Sequence, residues 1–300
     1  MSPIKKKQKH DDSNSLDEFI ILPSGDHPLD LDLSETTTGG RSEISLDLDV
    51  GTDLIPAEHG QELTLRSSKR NLKYIPSLKF FDAYDDKEKR IIHPDMDDYS
   101  ILNGFRKIRT YLIQRSPRKN FVLMVVSLDH NMGATFSAVN IGAAFSYEGE
   151  KTSLLIDCNQ QEPKLNKLFD IDIRYGLTDY LHDSEIGINS IIYQTGIKRM
   201  NFIPIGRRKN EGGEFLSSEK MQEFVGVLKR RYADRYIILS VPPLEVSADA
   251  AILSEIADYI VIVVPYGRVT KSRINKAVKL LPQEKVVGII LNKRKNYVQY

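Results

Sequence analysis

Residues 121–145 read FVLMVVSLDHNMGATFSAVNIGAAF. Phe121–Val126 is an unbroken apolar run of strand length, apolar on both faces. A polar turn containing Gly133 follows. Beyond it, small and apolar side chains (Ala138, Val139, Ile141, Gly142, Ala144 and Phe145) fall at helical spacing. A strand, a tight loop and a helix in this order aim the loop amides and the helix N-terminus at one point, where an anion is favoured. The pattern that builds such a cradle for phosphate is G-x-x-x-x-G-K-[ST]. Gly133 takes its second glycine position, Thr135 its hydroxyl position, and Ala134 stands where the lysine belongs. The cradle is expected in outline, with its main cation missing.

Working outward, strands and helices alternate. Tyr99–Gln114 puts Ile101, Phe105, Ile108 and Leu112 on one helical face, with Arg106 and Arg109 three apart on another. The spacing predicts strands at Thr152–Asp157, Ile191–Tyr193, Met200–Ile205, Tyr236–Val241, Tyr259–Val264 and Val286–Leu291. It predicts helices at Leu177–Leu181, Ser217–Tyr232, Ala248–Ala257 and Thr270–Leu281. Apolar strands alternating with helices are the mark of a doubly wound α/β domain, with a mostly parallel sheet covered on both sides.

The N-terminal third differs. Residues 11–64 hold fourteen acidic residues against Arg41 alone, amid Ser, Thr, Gly and Pro. That balance resists collapse, so residues 1–95 are expected to be a largely disordered acidic region and linker, with the domain over 96–300. LDLDLSETT (29–37) and ISLDLDVGTDL (44–54) resemble one short motif used twice. They are either a solvated acidic tail or an edge strand formed on a partner. A small aromatic cluster, Tyr74, Phe80, Phe81 and Tyr84, falls in the linker.

Net charge is +1, which gives no electrostatic footprint for nucleic acid. Cys158 is the only cysteine, so no intramolecular disulfide forms and a reducing compartment fits. No apolar run approaches the roughly 20 residues that span a bilayer. The basic start MSPIKKKQKHDD lacks the apolar stretch of a secretory signal. A cytoplasmic protein is expected, reaching a membrane through a partner.

The order of motifs over residues 100–300 resembles the cytosolic domain of bacterial tyrosine kinases (BY-kinases) of capsule and exopolysaccharide export. That domain is similar to the partition-type deviant P-loop ATPases. The family's phosphate loop, roughly P-G-E-G-K-[ST]-T, corresponds to His130 through Phe136, and its later N-L-A to Asn140-Ile141-Gly142. The family motif L-L-I-D-x-D-x-R-x-P corresponds to Leu154 through Pro163, and Y-D-Y-V-I-I-D-T-P-P to the stretch ending Leu239-Ser240-Val241-Pro242-Pro243. The closing Val286 through Asn292 resembles the family's last strand, whose asparagine contacts adenine.

The resemblance implies a P-loop NTPase fold, ATP or ADP with magnesium as cofactor, and nucleotide contacts from Gly133, Ala134, Thr135, Phe136 and Asn292. It implies magnesium on Thr135 and Asp157, with Asp157 the residual catalytic candidate. Three charged groups of the pattern are replaced: the loop lysine by Ala134, the Walker B aspartate by Ser240 and the second D-x-D aspartate by Asn159. Asn131 replaces the first loop glycine and Gln161 an arginine. Losing one electrostatic contributor of this kind costs about 100- to 1000-fold in rate.

Structural roles stand beside the ligand roles. Asp157 could cap the next turn, Thr135 the following helix, and Asn292 could satisfy backbone at a strand end. The family's oligomer-forming E-x-x-R-x-x-R appears as Asn103, Arg106 and Arg109. Its terminal tyrosine cluster is reduced to Tyr297 and Tyr300, beside Lys293, Arg294 and Lys295.

Three functions follow. The first is a catalytically degenerate BY-kinase-like scaffold or regulator of polysaccharide export. The second is an active tyrosine autokinase with a rewired ATP site. The third is a partition or positioning protein. The partners implied are a membrane polysaccharide co-polymerase or an active homologous kinase, and further copies of the chain.

Overall fold

The computed structural model describes residues 16–21, 91–96, 99–116, 120–183, 185–207, 216 and 219–293. The twin Leu/Asp motifs, the aromatic cluster of the linker, Tyr297 and Tyr300 lie outside the described residues.

In chain order the strands are β1 (Leu16–Ile21), β2 (Val122–Ser127), β3 (Thr152–Asp157), β4 (Tyr193–Gln194), β5 (Met200–Ile203), β6 (Arg235–Ser240), β7 (Tyr259–Pro265) and β8 (Val286–Asn292). The helices are α1 (Tyr99–Arg115), α2 (Ala134–Ser146), α3 (Leu165–Phe169), α4 (Leu177–His182), α5 (Glu219–Arg231), α6 (Asp249–Ser254) and α7 (Lys271–Val278). They form one sheet in the order β1-β8-β7-β2-β6-β3-β5-β4. The six strands from β8 to β5 are parallel, and the outer two, β1 and β4, pair antiparallel.

Alternation along β2 splits the core in two. Val122, Met124 and Val126 face one layer, with α4 to α7 packed over it, while Phe121, Leu123 and Val125 face the other, under α1 and α2. Every residue of β2, β3 and β6 is buried, as the double-sided apolar runs require. Helix α2 lies close against the sheet because Gly142 has no side chain. A Cβ there would come within 2.8 Å of Met200 Cε.

The predicted strand at Ile191–Tyr193 is displaced: Ile188–Ile191 is a 3₁₀ turn and only Tyr193–Gln194 pairs with β5. Ile191 and Ile192 there are buried in the core layer that Val122, Met124 and Val126 face. Strand β1 had no periodic signal that set it apart from its acidic surroundings, and is visible only through its pairing with β8. Ile91–Met96 also belongs to this body: the Ile92 N–H donates to Asn140 Oδ1 (2.7 Å), and its carbonyl accepts from the Tyr147 hydroxyl (2.8 Å).

Strand β2 lies between β6 and β7, while the chain leaving it crosses to β3 on the far side of β6. Open α/β sheets bind ligands outside the carboxyl ends of their strands at such a place.

Candidate functional site

The loop from β2 to α2 has the backbone of a phosphate cradle. Asn131 sits at φ 56° and Gly133 at φ 100°. Asparagine tolerates the left-handed region better than other side-chain-bearing residues. The exchange of glycine for Asn131 therefore leaves this conformation in place. Gly133 is obligatory for a second reason: a Cβ on it would lie 1.9 Å from Asn292 Nδ2.

Side chains pin the loop from outside. The Ser127 hydroxyl donates to the Asp129 carbonyl (2.9 Å), and the His130 N–H donates to Asp129 Oδ1 (2.8 Å). Arg273 of α7 bridges Asp129 Oδ2 (3.1 Å) and Glu245 (2.6 Å). The His130 N–H, and then Arg273, hold the Asp129 carboxyl below its ordinary range. His130 is exposed, 3.4 Å from Glu162.

The loop encloses a cavity of about 200 Å³ at the carboxyl edge of the sheet. Gly133, Ala134, Thr135 and Phe136 all line it, while Asn292 and Asp157 do not. Gly133, not Thr135, occupies the N-cap of α2, so the first amides of the helix receive no side-chain cap. Phe136 also packs edge-on against Phe105 of α1 at 6.1 Å, so it ties the loop to the first helix.

Asp157 ends β3 in register with Ser240 of β6, and both are buried. Its Oδ1 accepts the Asn159 N–H at 3.0 Å, the turn-capping role. Its Oδ2 is buried with no hydrogen-bond partner. Burial pushes this carboxyl up to about 7, against the opposing pull of the Asn159 N–H. Cys158 beside it is fully buried, and burial, then the charges of Asp157 and Asp249, push its thiol well above the ordinary range. A thiolate is therefore disfavoured there.

Asn292 ends β8 at 0% exposure. Its Nδ2 donates to the Met132 carbonyl at 3.2 Å, while its Oδ1 has no partner. Two lysines complete the rim. Lys293 Nζ donates to the Asn131 carbonyl (2.7 Å), and Lys164 Nζ to Asn131 Oδ1 (3.0 Å). Lys164 also pairs with Glu162 at 3.0 Å.

Arg106 and Arg109 lie away from this cavity on α1. Arg106 is exposed; Arg109 donates to the Ala144 carbonyl of α2 at 3.3 Å, so one of the pair works within the chain.

These residues fit the phosphates of ATP or ADP: loop amides, an uncapped helix N-terminus and two ammonium groups share one cavity. They fit magnesium less fully. Asp157 Oδ2 is an acceptor without a donor but is buried outside the cavity that Thr135 lines, and Ser240 offers a neutral hydroxyl where a second carboxylate would help hold a divalent ion.

No family model matches the chain. The tyrosine-protein kinase CpsD of Streptococcus pneumoniae is 30% identical over 184 residues, which make up 60% of this chain and 79% of that protein. The chain belongs to the bacterial tyrosine-kinase family. A second member, the tyrosine-protein kinase YwqD of Bacillus subtilis, is 28% identical over 194 residues, 64% of this chain and 80% of that one. The kinase domain of the Escherichia coli tyrosine kinase ETK superposes with a TM-score of 0.60 at 22% identity, covering 67% of this chain and 80% of that one. The BY-kinase fold is thus common to both.

Sequence reasoning missed the convergence of Lys164 and Lys293 on Asn131. The two lysines lie 33 and 162 residues from it along the chain, so no local pattern joins them. It also missed the Arg273 clamp, 144 residues from Asp129.

Proposed function

We propose that this BY-kinase-family chain is a catalytically degenerate regulator or scaffold of a capsule or exopolysaccharide synthesis and export system. The supporting observation is the pair Asp157 and Ser240, buried side by side at the carboxyl ends of β3 and β6. One carboxyl is buried and pushed up to about 7, and its neighbour across the sheet carries no charge to share a magnesium ion. Phosphoryl transfer depends on metal and cation charge placed around the γ-phosphate. Here Ala134 contributes none and Asp157 is costly to ionise.

In this reading the loop, Thr135 and Asn292 hold a nucleotide, and bound ATP would bring magnesium with it. Asp157 and Thr135 are the residues left to meet that ion. The fold then acts by shape, docking on a membrane polysaccharide co-polymerase or on an active homologous kinase, with further copies of itself as a second contact. Among the described residues no helix is long and apolar enough to cross a membrane.

An ATPase and autophosphorylation assay on the purified full chain, with magnesium and with the co-polymerase's cytosolic segment added, tests this. No turnover above buffer is expected. Magnesium-dependent turnover abolished by both Thr135→Ala and Asp157→Ala would refute it. One observation favours a second reading, an active autokinase with a rewired site. Two lysine ammonium groups stand on the loop rim although the motif lysine is gone. That reading expects phosphate on Tyr297 or Tyr300 when the partner is present.

A further inference from the structure

We propose that Lys293, assisted by Lys164, supplies the phosphate-binding charge that position 134 lacks, and that the cavity binds the diphosphate portion of a nucleotide. This rests on the family reading above and assigns the ligand-binding residues of the same pocket.

Four observations carry it. First, Lys164 and Lys293 line the cavity that Ala134 lines, so their ammonium groups replace one that would have risen from the loop itself. Second, the two converge on one residue, Asn131, at 3.0 and 2.7 Å, from opposite walls: the segment after β3 and the end of β8. Third, they differ in freedom. Lys164 is balanced by Glu162 at 3.0 Å, and Asp129 is taken by Arg273, whereas Lys293 pairs with no carboxylate among the described residues. Its positive charge is the one left for a ligand. Fourth, Asn292, which carries Lys293 at its C-terminal side, is fully buried against Gly133 with Oδ1 unpartnered. Buried there, Asn292 anchors the end of β8 to the loop through the Met132 carbonyl and so sets Lys293 on the rim.

The backbone fixes the lysine's place. Lys293 adopts φ 64°, a left-handed turn just past the strand. From there its side chain reaches the loop, at the Asn131 carbonyl. Anions bound by loop amides gain from a nearby ammonium without any change in the loop.

Calorimetric titration of the full chain with ADP, ATP and pyrophosphate, without and with magnesium, tests this. ADP binding by the native chain is expected below about 1 mM, the weak end of specific recognition. Lys293→Ala is expected to weaken it about tenfold or more, the usual worth of a charged hydrogen bond. Lys164→Ala should weaken it less, and Lys198→Ala, exposed at the opposite end of the sheet, not at all. Lys293→Met repeats the charge loss with the apolar stem retained. Ala134→Lys in the Lys293→Ala background should restore binding.

Binding of pyrophosphate as tight as ADP supports the phosphate site and makes its ligand an inorganic polyphosphate. Absence of binding to all three anions overturns the proposal, as does native affinity in both Lys293 variants. Neither outcome touches the proposed lack of catalysis, which the turnover assay alone decides.

Discussion

Asp157 is the residue where burial and charge conflict most sharply. Its folded-state carboxyl titrates near 7, above the ordinary value of about 3.9 in an unfolded chain. The folded state therefore binds the proton more tightly. The stability this provides is full below about pH 4 and is lost as pH rises through about 7. Asp157→Asn should raise the melting temperature at pH 8 by about 5 °C, a gain of roughly 2 kcal/mol for a domain of this size. The gain should vanish at pH 4, and thermal scans at both values check it. If magnesium binds Asp157, it should stabilise the native chain at pH 8 and leave the asparagine variant unmoved. Gly133 is constrained differently. Gly133→Ala meets both a φ of 100° and the Asn292 amide, and should cost about 2 kcal/mol in urea unfolding. Adding Asn292→Ala should recover only the part due to the clash.

Among the elements, α2 does the most joining. It packs on β2, β3, β6 and α1, its first turn faces the cavity, and its Asn140 holds the backbone of Ile92. Asn140 matches the family's N-L-A in sequence, a triplet that by itself assigns it no role. In the structure it is a buried tether for the segment that enters the domain. Asn140→Ala leaves the Ile92 N–H without its partner inside the protein, at a cost of about 1–3 kcal/mol. Limited proteolysis should then cut near residues 91–96 in the variant before it cuts the native chain. Strand β8 has a similar double duty, closing the parallel sheet and ending in Asn292 and Lys293 on the loop rim.

At the scale of the whole molecule, the outermost pairing matters most for solution behaviour. Strand β1 runs antiparallel along β8, with Leu16 opposite Asn292, so a segment from the acidic region borders the strand that ends in Asn292 and Lys293. Removing residues 1–21 turns β8 into an open edge of apolar strand, the kind that self-associates. The truncated chain is expected to melt lower and to form larger species in size-exclusion chromatography than the full chain. An unchanged profile would mean that β8 is protected without β1.

The parallel core was legible in the chain because each strand is a continuous apolar run that must be covered on both faces. Thr152–Asp157 and Tyr259–Val264 therefore fell almost where the structure has them. The loop was legible because its glycine, small residues and hydroxyl follow one another without a gap, and Ala134 could be named as altered from that register, whereas Asn159 and Ser240 were named by resemblance to the family motifs. The edges were not legible. β1 and β4 owe their strand form to a neighbour's unpaired backbone rather than to their own periodicity.

Sequence alone determined the sheet and the outline of the cradle, since these depend on residue type and near-neighbour spacing, while the charges absent from it were named by resemblance to the family motifs. Only the folded chain decided that Asn131 keeps a glycine's conformation, that Asp157 is buried with a bare oxygen, and that Lys164 and Lys293 meet over the loop. Burial, backbone angle and contact between distant residues come into being only when the chain packs.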